Sequence, residues 1–241
     1  MDIRLNYTAS KTPIAAPYSR REWISRYPAW ELNRIFFISG VDNLDILKRM
    51  HELVCESEED GLSPSEFVRR CLIMLDEQSK HIPQKVEDQI THTNSIKRLY
   101  APERLRLIQR THEQLASGYE AFCTAFERVH LLLNPGWRFV RQPGAKTKRE
   151  DHVKHQGEVR LKTDWQFWLA RNDPAFGGFG NPYAPFGFNS WMRTSPVSRE
   201  ECEKLGLLKP GEKLEIPDIL YKWGLPRQAP KELPRHPEGT P

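Results

Sequence analysis

The sequence of 241 residues predicts an α+β protein, with a helical N-terminal half, a small mixed α/β and loop-rich C-terminal half, and a proline-rich tail. Three observations support this fold class. Apolar residues recur at helical spacing as far as about residue 132, and two short strand-like runs lie beyond that point. The chain also contains 19 prolines among its 241 residues, a larger share than the ~5% that is usual for proteins. Because strands and helices do not alternate regularly, we do not expect a Rossmann-type or barrel enzyme.

Composition divides the chain into four parts. Residues 1–20 are rich in small and polar side chains, which predicts a flexible arm, and residues 21–132 form the helical region. Residues 133–208 make up the α+β core. Residues 209–241 are rich in proline and predict an extended, partly disordered tail.

The first helical segments are indicated by caps and apolar spacing. A short helix is predicted around Arg21–Trp30, followed by an apolar run that ends at Gly40. Asp42 or Asn43 can cap the next helix, which should end at Gly61. Its predicted buried residues are Leu44, Leu47, Met50, Leu53 and Val54.

The next two helices have clear start signals. Ser63-Pro64-Ser65-Glu66 is a capping box, and the apolar stripe that follows consists of Phe67, Cys71, Leu72 and Leu75. Residues 77–100 are polar and predict a linker with at most a short helix. Pro102 should open a long helix that runs to about Leu132, with Leu105, Ile108, Leu115, Tyr119, Phe122 and Phe126 on its buried side.

The apolar period changes after Asn134-Pro135-Gly136. Trp137–Val140 and Glu158–Leu161 predict two short strands, joined by the basic segment Arg141–His155. An aromatic, Gly/Pro-rich region follows, and Ser198 can cap a short helix that ends at Gly206.

Several classes of protein are excluded by composition and by missing motifs. The net charge of +4 is too small for a highly basic nucleic-acid coat, and the 19 uncharged residues 174–192 contain three prolines, which excludes a membrane span. No signal peptide is visible, and the four cysteines have no C-x-x-C pair, so reduced structural thiols in a cytosolic setting are expected. Since no nucleotide-binding, esterase or zinc-protease motif is present, we expect no catalytic residue, cofactor or metal.

One polar cluster, residues 149–158, could in principle carry chemistry. A metal-independent nuclease needs a general base, a general acid and a cation for phosphate, and His152, His155 or Glu158, and Arg149 could fill these roles. The simpler interpretation is a solvated turn. A zinc site at the two histidines lacks an obvious third ligand.

Basic residues are dense in the same part of the chain. Contacts with DNA phosphates would be weak, salt-sensitive and independent of sequence, while an ordinary charged surface is the alternative interpretation. Four acids partly offset the charge over this span. The candidate DNA contacts are Arg141, Lys146, Lys148, Arg149, Lys154, Arg160 and Lys162.

Aromatic residues are concentrated in residues 165–191, which hold nine of the 25 in the chain. The first interpretation is a loop that packs over a small core through its own rings. A docking surface and a base-stacking surface are the alternatives, and the first two interpretations are compatible.

Four sequence blocks appear in a fixed order. They are Phe36–Val41 with Gly61–Phe67; Arg104-Leu105, Ile108, Thr111 and Tyr119; Trp137–Val140 with Arg149, His152 and Gly157; and Asn172–Pro174 and Phe176 with Asn181–Asn189. In this order the chain resembles the Mu F-like family of phage head-morphogenesis, or minor head, proteins, from about Arg21 to Leu207. The family-hallmark positions are Trp137, Arg149, His152, Gly157, Asp173, Pro174, Pro185, Gly187 and Asn189.

The resemblance implies a structural role in phage assembly. A member of this family would accompany the phage portal protein and other head or scaffold proteins in the prohead, and would assist head assembly, DNA packaging or DNA delivery. It implies a location in the virion or prohead after synthesis in the bacterial cytoplasm, with no membrane partner. Non-specific contact with double-stranded DNA is a further expectation. A small nuclease or toxin-like enzyme and an adaptor with no DNA role are the alternatives.

Three departures from the family pattern affect what can be transferred. Ser190-Trp191-Met192 stands where many members have Cys-x-Cys, so no cysteine-dependent role carries over. His155 replaces an apolar residue, and His112 replaces an asparagine. These changes leave the expected fold intact, but they weaken any transfer of catalysis.

Overall fold

The fold is α+β, as the sequence predicts. We describe a computed structural model, which places residues 3–79, 99–142, 149–188 and 190–227. Within these ranges the helices dominate the first half, and a three-stranded sheet with short helices forms the second half.

The first half is built around three long helices. They are α4 (Leu44–Asp60), α5 (Pro64–Ser79) and α6 (Pro102–Ala125), and α4 and α5 both pack against α6. The elements are α1 (Ile3–Ala9), β1 (Thr12–Pro13), α2 (Arg20–Arg26), α3 (Ala29–Leu32), β2 (Ile35–Phe36), α4 (Leu44–Asp60), α5 (Pro64–Ser79), α6 (Pro102–Ala125) and α7 (Arg128–Leu133).

The caps of α4 are confirmed. The side-chain oxygen of Asn43 accepts hydrogen bonds from the backbone N–H groups of Asp45 and Ile46, both at 3.0 Å. Gly61 ends α4 with φ of 65°, in the left-handed region that favours glycine. Five residues of α4 are predicted to be buried, and this prediction is wrong for Leu44, which lies in the first turn and is exposed.

Ser63 caps α5 by accepting a hydrogen bond from the backbone N–H of Glu66 at 3.2 Å. The Glu66 carboxylate binds Arg69 and Arg70 and does not close the predicted capping box.

The prediction of a loosely ordered arm over residues 1–20 is wrong for residues 3–20. Helix α1 packs against α4 and α6, and β1 pairs with β2 in parallel. Tyr7 stacks on Tyr119 with ring centroids 4.7 Å apart, and Thr8 donates a hydrogen bond to Glu58 at 2.9 Å. The small and polar residues of this segment allow close packing against the long helices instead of leaving it in solvent.

The long third helix is interrupted before Leu132. Helix α6 ends at Ala125, Phe126 leaves the helical path, and α7 begins at Arg128. The break lets Phe126 and Leu131 both enter the core. The predicted linker at 77–100 begins later than expected, because α5 continues to Ser79; residues 80–98 lie outside the described part.

The second half contains a small antiparallel sheet of three strands. The central strand is β3 (Gly136–Arg141), which lies between β4 (Val159–Leu161) and β5 (Met192–Val197). Trp137 of β3 faces Arg160 of β4 on one side and Pro196 of β5 on the other. Sequence analysis missed β5, because Pro196 argues against a strand except at a sheet edge, which is where β5 lies. The elements are β3 (Gly136–Arg141), α8 (Glu150–Lys154), β4 (Val159–Leu161), α9 (Trp165–Arg171), a 3-10 turn (Pro174–Phe176), β5 (Met192–Val197), α10 (Arg199–Lys204) and α11 (Ile219–Lys222).

The tail, which the sequence predicts to be extended and partly disordered from residue 209, is packed against the second half as far as residue 227. Leu220, Trp223 and Leu225 are buried in the core of the second half. The indole N–H of Trp223 donates to the carbonyl of Gly180 at 3.1 Å. Three apolar residues within six positions explain this packing despite the neighbouring prolines. Residues 228–241 lie outside the described part.

We expect Asn43→Ala to lower the free energy of unfolding by about 1 kcal/mol, because two backbone N–H groups of α4 lose their acceptor. Urea denaturation followed by circular dichroism measures this change. Asp42→Ala is the matched control, since the adjacent carboxylate is exposed and α4 is capped by Asn43. Equal effects of the two substitutions would contradict the capping role.

Candidate functional site

The candidate site is centred on Arg149, which precedes α8. Its guanidinium donates hydrogen bonds to the backbone carbonyls of Phe186 at 3.1 Å and Phe188 at 2.9 Å, and lies 3.5 Å from that of Gly177. We call this set of contacts the arginine–loop cluster. It joins the turn of the third sequence block to the loop of the fourth, and burial lowers the pKa of Arg149.

Two hallmark glycines are required by backbone geometry. Gly187 has φ of 98°, and a side chain there would overlap the Gly177 carbonyl and the guanidinium of Arg149. Gly157 has φ of 86°, and its N–H donates to the carbonyl of Phe139 at 2.7 Å, which leads the chain into β4. Both positions therefore shape the site and carry no reactive group.

The loop itself is held by Asn172, whose role sequence analysis missed. Its buried amide nitrogen lies within hydrogen-bond distance of four acceptors, namely Asn181 O at 2.9 Å, Asn181 Oδ1 at 2.6 Å, Tyr183 O at 3.0 Å and Pro185 O at 3.1 Å. Its side-chain oxygen accepts from the N–H of Phe179 at 2.7 Å. The available signal was the Asn172-Asp173-Pro174 triplet, in which Asp173 and Pro174 start the 3-10 turn.

His152 is part of the core. Its Nε2 donates to the carbonyl of Arg171 at 2.9 Å, and its ring packs edge-to-face on Phe139 with centroids 5.5 Å apart. Only 5% of the residue is exposed. Burial lowers the pKa of His152, although the hydrogen bond to Arg171 opposes the shift. The interpretation of this segment as a solvated turn is therefore wrong at His152.

His155 and Glu158 form a separate pair nearer the surface. His155 Nδ1 lies 2.6 Å from Glu158 Oε2, and the other oxygen of Glu158 accepts from Arg160. Burial acts to raise the pKa of Glu158, but these hydrogen bonds outweigh it, so the pKa of this carboxyl group is lowered. The structure thus brings together two of the four nuclease candidates, His155 and Glu158, while Arg149 and His152 bind backbone carbonyls elsewhere. A phosphate at Arg149 would have to displace those carbonyls.

The seven DNA-contact candidates do not form one patch of unengaged cations. Lys162 is 2% exposed, donates to Ala125 O at 2.9 Å and lies 3.4 Å from His130 O, and burial lowers its pKa to about 8. Arg149 and Arg160 are engaged as described, and Arg141 is half-buried at the end of β3. Lys154 is exposed, while Lys146 and Lys148 lie outside the described residues, as does the hallmark Asn189.

The aromatic segment is mainly structural. Trp168, Tyr183 and Phe186 are buried, and Trp137 of β3 packs edge-to-face on Trp168 with centroids 5.4 Å apart. The rings at 165, 167, 179 and 188 are partly buried. Phe176 and Trp191 are exposed, so they are the members of this segment most available to a partner.

The described residues form neither a metal cluster nor a membrane-spanning helix. No group of three or more His, Cys, Asp or Glu side chains among them is arranged to hold a metal ion. No helix in this part of the chain is long and apolar enough to cross a bilayer. The four cysteines are free thiols, three of them buried.

Comparison of the chain with protein-family models, curated proteins and solved structures finds no match.

We expect Arg149→Met to lower the free energy of unfolding by about 2 kcal/mol, because charge-assisted hydrogen bonds to two buried-loop carbonyls are lost. Lys154→Met, in the same segment but exposed, should change it by less than about 0.5 kcal/mol. Urea denaturation of both variants tests this difference. Equal stability of the two proteins would show that the arginine–loop cluster does not hold the loop.

The lowered pKa of His152 predicts a pH effect on stability. As pH falls below the ~6.5 of a free imidazole, the unfolded chain takes up a proton before the folded protein does. The contribution of neutral His152 is therefore complete above about pH 6.5 and declines as pH falls toward its lowered folded pKa. His152→Gln keeps an N–H donor for Arg171 but does not titrate. Urea midpoints at pH 8 and pH 5.5 should differ less for this variant than for the natural protein, and an equal difference would contradict the assignment.

Proposed function

We propose that this chain is a phage minor head protein that associates with the portal in the prohead and assists head assembly, DNA packaging or DNA delivery. The observation that carries the proposal is the ordered set of four sequence blocks resembling the Mu F-like family. The proposed location is the prohead and virion, reached after synthesis in the bacterial cytoplasm. The proposed partners are the portal protein and other head or scaffold proteins.

The packing of the third and fourth blocks supports this proposal. Arg149 of the third block binds the loop that contains Pro185 and Gly187 of the fourth. Phe139 of the central strand β3 packs edge-to-face on Phe186 of the same loop, with ring centroids 5.0 Å apart. Residues far apart in sequence but sharing one pattern thus belong to one folded unit, as expected if the pattern specifies a common core.

A partner surface is available on α7. Val129, Leu132 and Leu133 are 63%, 56% and 58% exposed, and their i, i+3, i+4 spacing places them on one face of the helix. Exposed apolar side chains grouped in this way are typical of protein interfaces. We infer that this α7 face contacts the portal or another head protein.

Contact with DNA has less support within the proposal. Arg149 and Lys162 bind carbonyls inside the protein, and Arg160 binds Glu158. Among the described residues, a DNA role is best tested at Lys154, which is exposed. Binding to duplex DNA that weakens steeply between 50 and 200 mM salt, and that is reduced by Lys154→Met, would support it.

We expect the chain to be present in purified proheads of its phage and to co-purify with the co-expressed portal protein. Leu133→Glu should abolish or strongly weaken co-purification, because a buried, unpaired carboxylate is unfavourable in an apolar interface. Circular dichroism and urea denaturation should show that the variant still folds, since Leu133 is exposed.

Ile73→Glu is the matched control, because Ile73 is 45% exposed and lies on α5 in the helical half. It should retain portal binding. Absence of the chain from proheads and virions would contradict the proposed function. Equal loss with both glutamate variants would contradict only the assignment of the α7 face.

A further inference from the structure

A cavity of about 240 Å³ lies between the helical half and the loop that Arg149 binds. It is bounded by α2, β2, α6 and the loop around Phe179 and Phe188. Its volume is slightly below the ~300–1,000 Å³ of ordinary ligand sites, which suits a small ligand. Most of its lining is apolar, including Ile24, Leu32, Ile38, Leu107 and Ile108.

The charged side chains that line the cavity are all basic. They are Lys11, Arg20 and Arg104, and among the described residues no aspartate or glutamate lines the cavity. Arg20 donates to the carbonyl of Gly178, and Arg104 donates to that of Ser39 at 2.7 Å. These two arginines are partly exposed, so they lie toward the opening, while Lys11 lies at the buried end.

Two polar groups at the buried end lack hydrogen-bond partners in the described part of the chain. Lys11 is 6% exposed, and its ammonium lies 4.1 Å above the ring of Tyr7 without an acceptor. His112 is 8% exposed, its ring stacks on Phe36, and its Nδ1 is buried with no partner. One oxygen of the nearby Glu58 accepts from Thr8, and the other, Oε2, is buried with no partner in the described residues.

Burial makes this arrangement costly without an anion. It lowers the pKa of Lys11 to about 7, against a smaller opposing effect of Glu58. It also lowers the pKa of His112 to about 3, and the neighbouring Lys11 and His51 lower it further. An unpaired buried cation and an unpartnered ring nitrogen both gain from an acceptor placed between them.

We propose that this cavity binds a small monocarboxylic acid with an apolar body. The carboxylate accepts hydrogen bonds from Lys11 and His112, and the hydrocarbon body lies along Leu107 and Ile108. A cationic ligand would face three basic side chains, and a neutral apolar ligand would leave Lys11 and His112 without an acceptor. The proposal does not depend on the role in the phage head.

Octanoate is the probe, with 1-octanol and octylamine as matched ligands of equal chain length. Isothermal titration of the full chain should show saturable 1:1 binding of octanoate, weaker binding of 1-octanol and none of octylamine. Lys11→Met should weaken octanoate binding by about tenfold or more, as expected for loss of one charge-assisted hydrogen bond, and should leave 1-octanol binding within about twofold.

Lys48→Met is the control for Lys11→Met, because Lys48 is exposed on α4 and does not line the cavity. Leu107→Trp, at a partly exposed lining position, should fill the cavity and abolish binding of both octanoate and 1-octanol. Circular dichroism verifies that each variant folds. The proposal is overturned if octanoate does not bind saturably, if 1-octanol binds as tightly, or if Lys11→Met and Lys48→Met have equal effects.

Discussion

The second half of the protein depends on the buried amide of Asn172. An aromatic loop with several glycines and prolines has few backbone partners of its own, and its carbonyls would be left unsatisfied inside the core. One side chain at the start of the loop, directly after α9, supplies donors to residues 181–185 and an acceptor to Phe179. Trp168, Tyr183 and Phe186 can then pack with their backbone groups satisfied.

Cations complete this internal hydrogen bonding. Arg149 reaches the carbonyls that follow the loop, and Lys162 reaches the carbonyls where α6 and α7 end. Both residues look like surface charges in the sequence, because Lys and Arg are seldom buried. The apparent basic concentration of this region is therefore partly structural, which is why residues counted together as DNA contacts separate in three dimensions.

The elements that the sequence predicts well are those specified by neighbouring residues. Asn43 and Gly61 bound α4, and Ser63 and Pro64 start α5, because caps act over three or four positions. The arm, the edge strand β5 and the ordered part of the tail depend on distant partners, so local composition is misleading for them. For the candidate site, the pattern located Arg149 and Gly187 but not their contacts. Asn172 lies within the fourth block, but no residue near it in the sequence shows that its amide would meet residues about ten positions away.

Both ends of the described chain meet the middle of α6 at one residue. The ring of Tyr119 stacks on Tyr7 from α1, and its hydroxyl donates to the carbonyl of Gly224 at 2.6 Å. During synthesis, α6 emerges about 100 residues before Gly224, so one side of it stays uncovered until α11 and the residues after it have left the ribosome. The core of the second half is therefore completed late, and a stop introduced just before α11 would leave a nearly full-length chain with its aromatic core open to solvent.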